Sequence, residues 1–322
     1  MVSKYRKICV TGGAGFIGSH LVDRLLNDGY EVIAVDNLLT GKLENIAHNL
    51  GKTRFQYVNC DIRDSKSIKN LIKDVDAIFH QAALTSIGMP TRKPTFLNSI
   101  NVSGTLNLLE TAAESKVKRF VYASSAAVYG DVSSPQREDM TPKPTSFYGF
   151  SKLVGENYVK LYHETYGLDT VCLRYFNVYG LRQNISNQYS DVITKFIGRL
   201  LSDKHLIVYG DGVQSRDFIS VKDVVEANLL ALESKNAVGE SFNIGTGTST
   251  SIRELAKMLL KLMNKNDAKI LYSKPRPGDI RYSLADITKA KKILGFSPKH
   301  ACMHEEELSQ LVERYKNQEW FT

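Results

Sequence analysis

The chain has few cysteines and no long apolar run. Its four cysteines, Cys9, Cys60, Cys172 and Cys302, are far apart and form no C-x-x-C pair, which favours buried free thiols in a reducing compartment. The seven histidines form no ligand-spaced cluster, so we expect no metal. No apolar run approaches the roughly 20 residues that span a bilayer, and no signal-type apolar segment precedes the first turn. We therefore expect a cytoplasmic protein without a membrane partner.

Charge of one sign is not concentrated in any segment. The 42 lysines and arginines exceed the 34 acidic residues and give a net charge of +8. No arginine-rich tract or basic helix with interleaved aromatics indicates a nucleic-acid surface. An anionic small molecule would explain the excess, and so would an ordinary basic surface. The 43% hydrophobic and 24% charged content is typical of a globular protein with one large or two medium domains.

Short β-branched runs alternate with longer amphipathic segments in the first half of the chain. This pattern is typical of βαβ units and a parallel sheet. The candidate strands begin at residues 7, 31, 55, 77, 119 and 169, and helical spacing recurs in residues 18–29 and 101–116. Further helices are expected near residues 191–203, 221–234 and 251–263. We predict an α/β protein with a Rossmann-type doubly wound parallel sheet in residues 1–176. A smaller α/β substrate domain would follow in residues 177–322, and some of its segments can return to the main sheet.

A glycine-rich turn follows the first candidate strand and opens the first candidate helix. In "VTGGAGFIGSH", Gly12, Gly15 and Gly18 have the spacing G-x-x-G-x-x-G. Glycine lets the backbone approach a pyrophosphate, and a helix N-terminus offers it amide donors. Asp36 closes the second strand, where a carboxylate would hold the ribose hydroxyls of NAD and repel the extra phosphate of NADP. We predict an NAD site here, and the alternative is a tight turn with a structural role only. Asp61, at the end of the third strand, would contact the adenine side of the cofactor or cap the next helix.

A phenol and an ammonium group stand four residues apart in "FYGFSK". On a helix, Tyr148 and Lys152 share one face. A lysine beside a phenol favours the phenolate, and each unit by which the phenol pKa falls corresponds to about 1.4 kcal/mol. Tyr148 would then act as a base near neutral pH. The spacing alone favours two exposed residues at a helix start, so the catalytic interpretation depends on the rest of the sequence.

Taken together, the motifs resemble those of the extended short-chain dehydrogenases/reductases, and within them the nucleotide-sugar 4-epimerases. The resemblance covers nearly the whole chain: "TGGAGFIGSH", "HQAA" (80–83), "NVSGT" (101–105), "SSAAVYG" (124–130), "YGFSK" (148–152), "LRYFNVYG" (173–180), "SRDFISVKD" (215–223) and "RPGDIRYSLAD" (276–286). It implies that Tyr148 is the catalytic base, that Ser125 holds the sugar oxygen, and that Lys152 lowers the phenol pKa and binds the nicotinamide ribose. It also implies a tightly bound NAD.

The resemblance also implies which side chains contact the two ligands. The expected cofactor contacts are Gly12, Gly15, Phe16, Ile17, Gly18, Asp36, Asn37, Asp61, Ile62, Gln81, Ala82, Ala83, Asn101, Tyr148 and Lys152. The expected substrate contacts are Ser86, Ser125, Tyr148, Asn177, Val208, Tyr209, Arg216, Arg276, Asp279 and Ser283. Arg216 and Arg276 match diphosphate-binding arginines, whose fork geometry suits such a group, and Asp279 matches a ribose-binding carboxylate.

Two features of the resemblance bear on the reaction and its sugar. Related dehydratases and decarboxylating synthases place acids directly after the catalytic serine, whereas this chain has Ala126 and Ala127. Water loss then lacks an obvious proton donor, which favours simple epimerisation. Ser283 stands where glucose- and galactose-restricted epimerases carry tyrosine, so room remains for an N-acetyl group on carbon 2.

The resemblance therefore predicts a UDP-N-acetylglucosamine 4-epimerase that forms UDP-N-acetylgalactosamine through a transient 4-keto sugar. Activity on UDP-glucose would persist, because lost apolar contact costs only about 1 to 3 kcal/mol. The alternatives are a 4-epimerase of UDP-glucose alone or of UDP-glucuronate, an NAD(P)-dependent oxidoreductase, and a catalytically silent NAD-binding regulator. A homodimer is also implied, with helices near 102–116 and 148–166 in a four-helix contact, although their apolar stripes would serve a monomer equally well.

Overall fold

The structure is a computed structural model that describes residues 4–85, 93–183, 192–275, 280–300 and 305–316. Its strands are short. In chain order they are β1 (Lys7–Thr11), β2 (Glu31–Asp36), β3 (Phe55–Asn59), β4 (Ala77–His80), β5 (Arg119–Ser125), β6 (Thr170–Tyr175), β7 (Asn177–Tyr179), β8 (Leu206–Tyr209), β9 (Ser215–Arg216), β10 (Phe218–Ser220), β11 (Glu240–Ile244), β12 (Thr250–Ser251), β13 (Ile270–Ser273) and β14 (Tyr282–Ser283). The six strands predicted for the first half are all confirmed.

Helices alternate with these strands. In chain order they are α1 (Phe16–Asn27), α2 (Ser65–Ile72), α3 (Pro94–Asn98), α4 (Thr105–Glu114), α5 (Phe147–Tyr166), α6 (Val192–Leu201), α7 (Val221–Glu233), α8 (Ile252–Leu262), α9 (Thr288–Leu294) and α10 (Glu305–Lys316). Single 3₁₀ turns occupy Leu43–Asn45, Ala47–Asn49, Ala126–Val128 and Lys235–Ala237. Within the described ranges, no helix combines the length and the apolarity needed to cross a membrane.

Seven parallel strands form the main sheet in the order β11-β6-β5-β4-β1-β2-β3. Cys9 of β1 lies opposite Ile33 of β2 on one side and Ile78 of β4 on the other. The strand order reverses at β1, and in open α/β sheets ligands bind outside the carboxyl ends of the strands at such a switch point. The Rossmann-type doubly wound fold is therefore confirmed.

The main sheet is buried on both faces because helices cover each of them. Along β1, Ile8 and Val10 pack into one core with α1 and α7, whereas Cys9 packs into the other core with α2 and α4. This alternation follows from the two-residue period of a strand. Burial on both faces explains why the strands read as nearly continuous apolar runs.

The second half of the chain builds smaller sheets and also returns to the main one. β11 pairs with β6, with Phe242 opposite Leu173. The smaller sheets are β10-β7, β12-β9-β14 and β13-β8. A further core joins α6, α8 and α10 through Phe196, Leu255 and Leu311. Several predicted substrate residues thus lie on the smaller sheets, whereas Ser125 ends β5 of the main sheet. The division of the chain at residue 176 stays a prediction.

One predicted helix differs in its first turns. Helical spacing predicted a helix over residues 101–116, but the structure forms a π-helix over Ser99–Gly104 before α4 begins. The hydroxyl of Thr105 donates to the carbonyl oxygen of Asn101 at 2.6 Å. A threonine hydroxyl that bonds to the carbonyl four residues earlier competes with the backbone amide for that carbonyl. This competition accompanies the wider turn, and π-helical turns are frequent at functional sites.

Candidate active site

The glycine-rich turn lies between β1 and α1, at the switch point of the main sheet. Gly12 has a φ of +69°, a left-handed conformation that glycine adopts without strain. A Cβ at Gly12 would lie 2.7 Å from the backbone nitrogen of Ala82, and a Cβ at Gly18 would clash with the carbonyl oxygen of Gly12. Only glycine therefore fits these positions. The turn leads directly into Phe16 and Ile17 at the start of α1, the place where a helix can hold a pyrophosphate.

Asp36 is fixed by the same turn. Its side chain is buried at 8% exposure, and its carboxylate accepts hydrogen bonds from the backbone N–H of Ala14 at 3.0 Å and of Leu38 at 2.8 Å. Burial raises the pKa of Asp36, and these bonds act in the opposite direction. A Cβ at Gly41 would lie 2.8 Å from Oδ2 of Asp36, so the absence of a side chain leaves space beside the carboxylate. The sequence analysis missed Gly41, because only the folded loop brings it to Asp36.

Asp61 lies beside Asn37 at the end of β3. The guanidinium group of Arg63 donates to both carboxylate oxygens at 2.9 and 2.8 Å, and Nδ2 of Asn37 donates to Oδ2 at 2.8 Å. Chiefly through Arg63, the pKa of Asp61 falls to about 2. The capping alternative for Asp61 is wrong, because Asp64 caps α2 by accepting from the N–H of Ser67 at 3.1 Å. Asp61 thus remains available for the predicted adenine-side contact.

The segment after β4 lies against the glycine turn. Gln81 donates from Nε2 to the hydroxyl of Tyr175 at 3.1 Å and to Oδ1 of Asn228 at 3.2 Å. Ala82 packs against Gly12, and Ala83 is half-buried beside it. These contacts bring the β4 end, the β6 end and α7 together at the sheet edge where the cofactor is expected.

Asn101 and Ile62 have internal partners. The side-chain amide of Asn101 donates to the carbonyl oxygen of Leu84 and to the hydroxyl of Ser151, both at 2.9 Å, and its Oδ1 accepts from the N–H of Leu84 at 2.7 Å. Ile62 is a core residue at 5% exposure. In this structure Asn101 therefore holds the segment after β4 against α5, and its predicted cofactor contact stays a prediction.

His80 lies in a chain of hydrogen bonds below the glycine turn. The hydroxyl of Thr105 already donates to the carbonyl of Asn101, so it accepts from Nε2–H of His80 at 2.9 Å. Nδ1 is then the acceptor for the hydroxyl of Thr11 at 2.7 Å, and that hydroxyl accepts in turn from the N–H of Ala82 at 3.3 Å. Burial, with a smaller contribution from the charge of Lys152, lowers the pKa of His80 to about 3. His80 is therefore neutral, with its proton on Nε2.

Ser125, Tyr148 and Lys152 come together as predicted. Ser125 ends β5, and its Oγ accepts from the N–H of Ala127 at 3.1 Å. Tyr148 is the second residue of α5, a helix capped by Ser146, and its phenol lies near enough to the hydroxyl of Ser125 for that hydroxyl to lower the pKa of the phenol. Lys152 lies one turn further along α5, with Nζ 5.9 Å from the ring centroid of Tyr148. A strand end and the first turn of a helix thus place the hydroxyl, phenol and ammonium groups in one site.

The pKa expected for Tyr148 is wrong for the protein without ligands. Burial raises the pKa of the phenol to about 12, and the hydrogen bond to Ser125 opposes this only in part. Burial also lowers the pKa of Lys152 to about 7, so this ammonium group loses its proton more readily than an exposed lysine does. The spacing of the two residues could not show this, because desolvation depends on what covers them.

Sequence reasoning missed a buried ion pair beneath the catalytic residues. Glu156 and Arg174 lie 2.8 Å apart, each with a side chain at 6% exposure. The hydroxyl of Ser124 also donates to Glu156, at 2.5 Å. Lys152 donates from Nζ to the carbonyl of Ala123 at 2.8 Å, and the charge of Glu156 raises its pKa against the effect of burial. The signal was present, since Glu156 follows Lys152 by four residues on the same helix.

Besides Ser125 and Tyr148, the predicted substrate residues that the structure describes lie on the smaller sheets. Ser283 of β14 lies opposite Arg216 of β9. Asn177 of β7 donates from Nδ2 to the carbonyl of Asp217 at 3.3 Å. Val208 is a core residue at 1% exposure, so its side chain is not available to a ligand.

A cavity of about 500 Å³ opens beside the end of β8. Its lining includes Tyr209, Gln214, Tyr272, Pro275, Ile280 and Arg281.

Three predicted substrate residues, Ser86, Arg276 and Asp279, lie outside the described residues. No group of three or more histidine, cysteine or acidic side chains able to hold a metal occurs in the described part of the chain.

The fold and the site together define a Rossmann-type enzyme of the extended short-chain dehydrogenase/reductase class. The parallel sheet has a glycine turn at its switch point, an acidic residue ends β2, and a serine, a tyrosine and a lysine lie together. The chain belongs to the NAD dependent epimerase/dehydratase family, whose model matches residues 8–245. NAD is the cofactor, and the glycine turn at the start of α1, with the fixed carboxylate of Asp36, fits its pyrophosphate and ribose.

Three solved structures are similar over nearly the whole chain. The UDP-glucose 4-epimerase of Thermotoga maritima, with UDP-glucose, is 39% identical with a TM-score of 0.89, over 96% of this chain and 98% of that one. The UDP-N-acetylglucosamine 4-epimerase of Methanobrevibacter ruminantium, in complex with UDP-N-acetylmuramic acid, is 38% identical with a TM-score of 0.91, over 97% and 99%. The UDP-glucuronic acid 4-epimerase of Bacillus cereus, with UDP-glucuronic acid and NAD, is 34% identical with a TM-score of 0.89, over 96% and 99%.

Proposed function

We propose that this protein is a UDP-sugar 4-epimerase and that it interconverts UDP-N-acetylglucosamine and UDP-N-acetylgalactosamine. The observation that carries the proposal is the placement of Ser125 beside the phenol of Tyr148, with Lys152 one turn away, next to a glycine turn that fits NAD. The three similar structures are named as 4-epimerases of UDP-sugars, which supports the reaction, and they differ in the sugar.

The roles of the three side chains follow from their placement. NAD⁺, when bound, supplies a hydride acceptor for carbon 4 and a positive charge near the phenol. Tyr148 takes the proton of the 4-hydroxyl and later returns it, while the hydroxyl of Ser125 holds the same oxygen. Lys152, in its charged form, stabilises the phenolate that this proton transfer requires. After losing a hydride from carbon 4, the 4-keto sugar would rotate and take the hydride back on its opposite face, which would invert carbon 4 with no net redox change.

The segment after Ser125 supports epimerisation rather than elimination. Ala126 and Ala127 occupy the 3₁₀ turn that follows β5, and the N–H of Ala127 is bonded to Ser125. Neither side chain can donate a proton to a leaving hydroxyl group. This segment therefore supplies no acid for elimination, which supports a reaction limited to proton exchange at the 4-oxygen.

Ser283 supports the N-acetylated sugar. It is buried at 8% exposure and lies opposite Arg216, the residue expected at the diphosphate. A serine occupies less volume than a tyrosine at this position, which supports room for an acetamido group on carbon 2. Because an open pocket admits a smaller ligand at a cost of about 1 to 3 kcal/mol, we expect slower turnover of UDP-glucose as well.

Incubation without added cofactor tests the proposal. The purified protein is given UDP-N-acetylglucosamine, UDP-glucose or UDP-glucuronate, and products are resolved by NMR of the ring protons. We expect the N-acetylgalactosamine epimer, formed faster than UDP-galactose. Conversion of UDP-glucose or UDP-glucuronate alone would support 4-epimerisation but refute UDP-N-acetylglucosamine as the substrate. A requirement for NADPH and a keto sugar would refute the reaction itself.

We also propose a homodimer through α4 and α5. Large apolar side chains on α5 are exposed, among them Phe150 at 58% and Leu161 at 51%, and such patches mark interaction surfaces. Light scattering should give twice the chain mass of 36.1 kDa. The double variant Phe150→Glu/Leu161→Glu should be monomeric, while Leu50→Glu, an equally exposed leucine at 48% on another surface, should remain dimeric. A monomeric wild type would refute this assembly.

A further inference from the structure

Gln136 forms hydrogen bonds to the strand that contains Ser283, at the residues before and after Ser283. Its side chain donates from Nε2 to the carbonyl of Tyr282 at 3.3 Å and accepts at Oε1 from the N–H of Leu284 at 2.8 Å. Its backbone N–H donates to the carbonyl of Leu284 at 2.8 Å, and its carbonyl accepts from the N–H of Asp286 at 2.9 Å. Gln136 is buried at 2% exposure. The two peptide groups that flank Ser283 are therefore held by one side chain.

The same residue is tied to the segment that follows the catalytic serine. Asn243, which is fully buried, donates from Nδ2 to the carbonyl of Gln136 at 2.9 Å and to that of Asp286 at 3.1 Å. Its Oδ1 accepts from the hydroxyl of Tyr129 at 2.7 Å, four residues after Ser125. A continuous set of buried hydrogen bonds thus relates the position of Ser283 to the catalytic segment.

The strand that contains Ser283, β14, is also held along its other edge. β14 pairs with β9, which places Ser283 opposite Arg216 and Tyr282 opposite Ser215. The strand is consequently held between β9 on one edge and Gln136 on the other. Removal of the Gln136 side-chain bonds would leave the β9 pairing and the two backbone bonds in place, so the strand would stay in the fold. The two peptide groups that flank Ser283 would lose the side chain that fixes them.

We propose that Gln136 is a positioning residue that determines sugar specificity by fixing the pocket wall at Ser283. This inference rests on the proposed function. An acetamido group would contact this wall, whereas a 2-hydroxyl would leave space that water can fill. Displacement of this wall should therefore weaken binding of the N-acetylated substrate selectively. Proton transfer between that substrate and Tyr148 should continue unchanged.

The Gln136→Met variant tests this role, because methionine has a similar length and makes neither side-chain bond. We expect kcat/KM for UDP-N-acetylglucosamine to fall about tenfold through KM, with kcat and the KM for UDP-glucose within about twofold of wild type. In a Ser283→Tyr background the wall is already altered. There Gln136→Met should change the ratio of the two kcat/KM values by less than about twofold, since effects that act through one contact are not additive.

The Gln136→Glu variant supplies a second readout. A carboxylate can accept from Leu284 N–H but repels the carbonyl of Tyr282, whereas a protonated carboxyl satisfies both. Selectivity for the N-acetylated sugar should therefore recover as the pH is lowered, relative to wild type at the same pH. A purely structural role would instead lower kcat for both sugars equally and give no such recovery.

The outcomes separate this inference from the proposed function. A wild-type protein inactive on UDP-N-acetylglucosamine would overturn both. A wild type active on it, combined with an unchanged substrate ratio in Gln136→Met or with additive effects in the Ser283→Tyr background, would overturn the role of Gln136 alone.

Discussion

The Tyr148→Phe protein is expected to lose about a thousandfold in kcat, since general acid–base catalysis by a positioned group contributes about 10²- to 10⁴-fold. Phenylalanine keeps the ring that faces the ammonium group of Lys152 at 5.9 Å but has no proton to exchange with the 4-hydroxyl. KM and the content of bound NAD should remain close to wild type, because the glycine turn and Asp36 are untouched. Initial rates, with NAD quantified after denaturation, measure the effect.

A matched control comes from the same helix. Tyr158 lies ten residues further along α5 and is half-buried, so Tyr158→Phe removes a phenol of similar burial away from Ser125. Its kcat should stay within about twofold of wild type. If Tyr148→Phe retained a tenth or more of the wild-type kcat, the phenol would not be the base, and the proposed chemistry would have to be reassigned.

The Glu156→Leu variant is expected to lose about 3 to 5 kcal/mol in free energy of unfolding, the usual cost of leaving one partner of a buried ion pair uncompensated. Arg174 would keep its charge at 5% exposure without its hydrogen-bonded carboxylate partner, and the hydroxyl of Ser124 would lose its acceptor. Denaturant unfolding, monitored by fluorescence and circular dichroism, measures the change. The loss should be largely recovered in Glu156→Leu/Arg174→Met, since replacing both charges removes the unpaired one.

An exposed ion pair of similar geometry provides the comparison. Arg6 and Glu31 lie 2.7 Å apart with side-chain exposures of 84% and 36%, and Glu31→Leu should cost less than about 1 kcal/mol. A loss for Glu156→Leu no larger than that for Glu31→Leu would show that the buried pair contributes little, and that water or structural relaxation compensates Arg174.

Local sequence was sufficient for the main sheet and for the catalytic trio. The strands of the first half are buried on both faces, so their apolar runs are visible without any knowledge of their neighbours. The glycine turn and the spacing of Tyr148 and Lys152 are likewise local, because each depends on a single turn or helix. Such features follow from short-range geometry, which a sequence carries directly.

What the sequence could not provide depends on distant partners. The raised pKa of Tyr148 results from burial by several elements. The bonds from Gln136 join residues about 150 positions apart, and the ion pair of Glu156 joins α5 to β6. The side chain of Asn101, expected at the cofactor, also holds two protein segments together. In each case the environment of the residue is set by the tertiary structure, which local sequence does not carry.

The hydrogen bonds around His80 run in one direction. They pass from the N–H of Ala82 through Thr11, His80 and Thr105 to the carbonyl of Asn101, whose side chain donates to Ser151, and Ser151 donates to the carbonyl of Tyr148. Bonds aligned in this way polarise one another, and a buried chain without a charged member has no proton to gain or lose near neutral pH. The segment at Ala82 and the first turns of α5 are therefore joined by bonds whose own members keep one protonation state near neutral pH.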